Sequence, residues 1–188
     1  LCSHADARAG LSDSLASDQE KAFSILGVEK AYGGSFPNIR MNTVPHLELV
    51  QFVEHAIADW RAEAVYTHHP ADTNNDHVMT SAAAQAAARL FQRREGIPAL
   101  RQLSYFEVPS STEWSLDSSA NRFLPNTFME IGEEGVARKL LALKAYSGVM
   151  RAYPHPRSEE AIRGLAAWRG AQAGCVYAEA FETVFWRM

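Results

Sequence analysis

The chain has 188 residues, 47% hydrophobic and 21% charged, which makes it a globular protein able to bury a core and excludes a disordered one. A net charge of -4 speaks against nucleic acid or an anionic membrane as partner, and no apolar run approaches the ~20 residues that span a bilayer. Cys2 and Cys175 cannot build a disulfide framework, so the expected compartment is a reducing cytoplasm.

Residues 12–26 predict a helix closed by Gly27. Leu47, Val50, Val53, Ile57 and Trp60 recur every three or four positions and predict one buried helix face, with Thr43 as N-cap and Pro45 in the first turn. Ala64 to Thr67 read as a short strand ending at His68. Met79 to Arg94 predict an alanine-rich helix with Met79, Ala82, Ala83, Ala86 and Leu90 on one face, stopped by Gly96 and Pro98. Arg101 to Val108 and Thr127 to Ile131 read as strands. Glu134 to Met150 predict a helix with Val136, Ala137, Leu140 and Leu143 inward. Pro154 and Pro156 break the chain, and Ser158 caps a helix running to about Arg169. Gly170 and Gly174 precede a last strand near Tyr177 to Phe185. Alternating strands and helices predict one α/β domain with a mainly parallel sheet. The loop from Ser110 to Asn126, carrying Trp114, Asn121 and Phe123, is long enough that function or interaction is expected of it.

The segment His68-His69-Pro70-Ala71-Asp72-Thr73-Asn74-Asn75-Asp76-His77 holds three of the seven histidines and two aspartates in ten residues. It follows a strand and leads into a helix near His77, the place where open α/β sheets bind ligands. The free N–H groups and positive end of that helix favour a neutral, metal-binding imidazole and an anion beside it. In a plainer reading the histidines close a strand and Asp76 caps a helix; the residues alone leave both open. No HExxH or CxxC spacing accompanies the cluster, and no GxSxG elbow offers a serine nucleophile.

His69-Pro70-x-Asp72-x-Asn74-x-Asp76-His77 resembles the second motif of the LmbE/PIG-L family of zinc-dependent N-deacetylases. Further blocks keep the order of one bacterial branch of that family: Leu26 to Val28, Phe36 to Thr43, Phe106 to Trp114, Pro125 to Phe128, Tyr153 to Ser158, Arg169-Gly170 and Tyr177 to Phe181. The resemblance implies a Rossmann-like sheet with helices on both faces. It implies an enzyme that removes an acyl group, usually acetyl, from the nitrogen of an amino sugar or related compound. His77 is implied as a zinc ligand, and iron(II) or another divalent metal would suit similar donors. Asp76 would orient groups around the metal. Asn74, where relatives often carry histidine, would offer a hydrogen bond during catalysis. Arg40, His69, Asp72, His155 and Arg157 are expected at the substrate. Glu179, in a late apolar strand, is expected to pair with Arg157 or Arg169, and Trp114 to anchor its loop.

The family's early AHPDDE-like motif, which supplies a histidine, an aspartate and the general base, has no match. His4-Ala-Asp6-Ala-Arg8 fails because alanine stands at position 7, where the second ligand would fall. Leu1 to Arg8 align better with the end of the family's second strand and the loop after it. The expectation is an N-terminally incomplete domain lacking one strand–helix–strand unit. That unit belongs to a longer product or to another chain, or the protein is an inactive member that binds a sugar or a partner protein. Asn38, Ile39 and Asn42 depart from the family pattern around Arg40. The expected partner is a small N-acetylated molecule, with no nucleic acid and no membrane, and a homo-oligomer stays open.

Overall fold

The computed structural model describes residues 12–116 and 122–188, with side chains from residue 15 onward; Cys2, His4, Asp6, Arg8 and Asn121 lie outside the described residues. Helices α1 (Ser12–Leu26), α2 (His46–Trp60), α3 (Asn75–Ala87), α4 (Gly132–Ala145) and α5 (Glu159–Ala173) accompany strands β1 (Ala64–His68), β2 (Gln102–Phe106), β3 (Thr127–Glu130) and β4 (Ala178–Trp186). The strands form an α/β sheet of order β1-β2-β4-β3. β1 pairs with β2 in parallel, Ala64 opposite Gln102 through His68 opposite Phe106. β2 and β4 run antiparallel, with a register shift between Leu103 and Ser104. The expected mainly parallel sheet is therefore a mixed one. Strand–helix alternation sets which elements are joined by crossovers, but it does not set the direction in which the last strand enters beside β2. Among the described residues no helix is long and apolar enough to cross a membrane.

The described residues pack as two compact units, one formed by Tyr32–Thr127 with Phe181–Met188, the other by residues 12–31 with Phe128–Ala180. In the first unit, Met41, Leu49, Val50 and Ile57 close on Ala83, Ala87 and Leu90. The alanines let α2 approach α3 closely, so the larger side chains of α2 fill the space between them. Two expectations on α2 need correction. Its buried face is Leu49, Val50 and Ile57, whereas Leu47 and Trp60 are exposed. Its N-cap is Pro45, because Thr43 ends a short 3-10 turn and bonds the Arg40 carbonyl instead. α3 starts at Asn75 and ends at Ala87, earlier than expected at both ends, since Leu90 to Gln92 tighten into a 3-10 turn.

In the second unit, Val136 and Leu140 of α4 pack on Ile162 and Ala166 of α5, and α1 packs on α4. α4 stops at Ala145, short of the expected Met150, because Tyr146 turns to extended backbone. Ser158 caps α5 as expected, its side chain accepting the Ala161 N–H at 3.1 Å. α5 runs on to Ala173 and ends at Gly174, whose φ of 78° is left-handed. The return from α5 passes close over Gly170, where a Cβ would lie 2.6 Å from the Val176 carbonyl oxygen and 2.7 Å from that of Cys175. Both neighbours are backbone and cannot swing aside. A Gly170→Ala variant is expected to lose about 1–3 kcal/mol, read as a lower urea midpoint at unchanged slope. Glu179 pairs with Lys139 at 2.6 Å rather than with either expected arginine, because Lys139 on α4 reaches its carboxylate first.

Candidate functional site

β1 delivers His68 and His69 at its carboxyl end, and the chain then turns into α3. Asn74 caps α3, its side-chain oxygen accepting the Asp76 N–H at 2.9 Å. That cap places Asp76 and His77 in the first turn. The Asp76 carboxylate accepts two backbone donors, Ile39 N–H on Oδ2 and Met41 N–H on Oδ1 at 3.0 Å. It thus pins the segment before α2 to the start of α3. Ile39 is held there at a φ of 61°, a strained setting for a β-branched residue. Arg40, beside it, is exposed.

Asp72 lies buried beneath His77. Its Oδ1 stands 3.1 Å from His77 Nδ1 and accepts the Asn74 N–H at 2.7 Å and the Ser111 hydroxyl. Its Oδ2 accepts the Thr112 hydroxyl at 2.9 Å. Burial pushes this carboxyl up, but the bonds from His77, Ser111 and the Asn74 N–H outweigh it and hold it down at about 2. Asp72 is therefore ionised, and it fixes the proton of His77 on Nδ1. His77 Nε2 has no hydrogen-bond partner among the described residues. An imidazole backed by a carboxylate in this way is the usual arrangement of a metal-binding or proton-accepting histidine.

His68 stacks on His77 with ring centroids 4.1 Å apart and planes at 18°, and its other side meets Phe106. Burial first, and the neighbouring His77 second, lower its pKa to about 4, while Asp72 pulls the other way. His69 is only 2% exposed. Its Nδ1 accepts the Ala71 N–H at 3.2 Å and its Nε2 lies 3.4 Å from Glu182. Tyr105 and Phe123 meet its ring edge-on. Burial lowers its pKa against the opposing pull of Glu182.

The first unit therefore brings together His69, Asp72, Asn74, Asp76 and His77. His155 and Arg157 belong to the second unit, in the turn before α5. There His155 Nδ1 accepts the Arg157 N–H at 3.0 Å. Arg157 Nε is buried without a partner. Trp114 is 59% exposed and does not anchor its loop; Ser111 and Thr112 do so through Asp72. Ser111, Thr112 and Glu182 were not singled out by sequence reasoning. The usable signal was position, since Ser111 and Thr112 follow the carboxyl end of β2, next to that of β1.

Among the described residues no three His, Cys, Asp or Glu side chains cluster closely enough to hold a metal ion. A catalytic zinc takes three protein donors, a set the described residues do not supply by themselves.

Residues 3–88 match the family profile described as PIG-L, GlcNAc-PI de-N-acetylase. A conserved protein of Thermus thermophilus superposes with a TM-score of 0.77 at 21% identity, covering 100% of this chain and 80% of that one. N,N'-diacetylchitobiose deacetylase from Pyrococcus horikoshii, solved with its inhibitor, gives 0.72 at 14% identity, covering 97% and 70%. GalB, the 4-carboxy-2-hydroxymuconate hydratase of Pseudomonas putida, gives 0.69 at 21% identity, covering 94% and 73%. No curated protein matches the chain in sequence. At these identities the likeness establishes the fold, which a deacetylase and a hydratase share.

Proposed function

We propose, from the premise that this chain belongs to the PIG-L family, matched over residues 3–88, that it is a metal-dependent hydrolase of N-acetylated amino sugars or related small molecules. The observation that carries the reading is the Asp72–His77 pair at the start of α3. The reaction is the hydrolysis of an amide. Water supplies the oxygen that stays with the acetyl group and the proton that leaves with the nitrogen. A divalent metal, when bound, activates that water and polarises the acyl carbonyl.

His77 Nε2 is the donor this chain's described residues offer the metal, and the remaining donors and the general base lie outside them. Asp72 holds the tautomer of His77. Asn74 and Asp76 set the position of the helix start, and Asp76 also holds the segment that carries Arg40. Arg40 is exposed, and we assign it to a polar group of the substrate. His69 and Asp72, both buried, serve the substrate through the residues they hold in place.

A second reading is a non-catalytic module that binds a sugar or a partner protein. It draws support from the lack of a three-donor cluster among the described residues. The test is acetate release from N-acetylglucosamine and N,N'-diacetylchitobiose, with zinc and with a chelator. The hydrolase reading expects release that stops with chelation. Sugar binding that persists under chelator without any release would establish the module instead.

A further inference from the structure

The two stacked imidazoles differ in which nitrogen is committed. His77 gives Nδ1 to Asp72 at 3.1 Å. His68 Nδ1 is enclosed in protein with no hydrogen-bond partner. An enclosed N–H with nothing to accept it is costlier than an enclosed lone pair, because the N–H forfeits a strong bond to water. The His68 proton therefore sits on Nε2. That nitrogen is not among the enclosed unpartnered atoms, and no described residue bonds it. The pair thus presents the His68 donor on a ring stacked 4.1 Å, centroid to centroid, from that of His77. No described side chain competes for the donor, and β1 and the tilted contact with Phe106 hold its ring in place.

We propose that His68 is a catalytic residue whose Nε2–H donates to the carbonyl oxygen of the scissile amide as that oxygen gathers negative charge. A neutral donor fixed beforehand suits this task, since it needs no reorganisation when charge develops. The inference rests on the hydrolase reading above, and its test separates the two.

The first measurement is the imidazole nitrogen–proton correlation spectrum of the whole chain, which reports tautomers without any turnover. Nε2–H on His68 and Nδ1–H on His77 are expected; Nδ1–H on His68 overturns the proposal. The second is kinetics of three variants. Glutamine places an amide N–H near the position of Nε2, asparagine places one near Nδ1, and phenylalanine keeps the stack without any donor. His68→Phe and His68→Asn are expected to lose about 10²-fold in kcat with KM little changed. His68→Gln is expected to recover at least a tenth of the wild-type kcat. If wild type releases acetate and His68→Phe matches it, this inference fails while the hydrolase reading stands. If wild type releases none, the hydrolase reading fails, and the His68 role with it.

Discussion

Acetate release by a His77→Ala variant is expected to fall by about 10²-fold or more. The stability of the fold should hardly change, because His77 is partly exposed and its loss removes one of the four donors on Asp72. Separating those two effects is the point of the experiment. A residue of the scaffold would lower the urea midpoint and leave the active fraction fully active. A residue at the reacting group leaves the midpoint near its wild-type value and abolishes turnover. Zinc bound per chain, measured on the same samples, divides the result further. If zinc falls together with activity, Nε2 is a metal donor. If activity falls while zinc stays, Nε2 meets water or substrate. Unchanged turnover would remove His77 from the reaction and with it the reading built on the Asp72–His77 pair.

Sequence signals that act within one turn of helix were legible, and those that need distant partners were not. The cap at Ser158 depends on a neighbour three residues on, and the start of α5 follows from it, whereas its end lies at Gly174, past the expected Arg169. Thr43 carries the same kind of signal three residues before α2, yet a 3-10 turn intervenes and uses its hydroxyl. The spacing of Leu47 and Trp60 is helical, but the alanine face of α3 accepts Leu49 and Val50 instead. Period alone cannot say which of two adjacent stripes meets a partner. The histidine and aspartate motif marked the region in which His69, Asp72, Asn74, Asp76 and His77 come together. What holds it together was hidden, because Ser111 and Thr112 lie 39 and 40 residues from Asp72, and Glu182 reaches His69 only through the β2–β4 pairing. The same antiparallel pairing is what the expected parallel sheet lacked.

An Asp72→Ala variant is expected to be among the least stable single substitutions in this chain, by about 3–5 kcal/mol. Asp72 is buried and ionised, and four donors converge on it: His77 Nδ1, the Asn74 N–H and the hydroxyls of Ser111 and Thr112. Alanine leaves these donors facing a cavity that none of them can fill, and each donor still enclosed there forfeits a bond. The loss is larger than that of an ordinary polar residue, since the carboxylate joins the loop after β1 to the loop after β2. With that link cut, the Thr73 hydroxyl on the Ser111 carbonyl at 2.9 Å is left to join the two loops. Asp72→Asn is the sharper probe of mechanism. Its amide keeps one acceptor oxygen and nearly the same volume, so it should cost less stability than alanine does. Its NH₂ group nevertheless turns a donor toward one of the four donors. If the NH₂ faces His77, the proton on Nδ1 is no longer favoured, and the imidazole is free to turn its N–H outward. Activity is then expected to fall about 10–100-fold while most of the stability is kept. Denaturation in urea, run beside acetate release on both variants, checks each half. A wild-type midpoint for Asp72→Ala would mean that the four hydrogen bonds contribute little. Wild-type turnover for Asp72→Asn would mean that the carboxylate does not set the tautomer of His77.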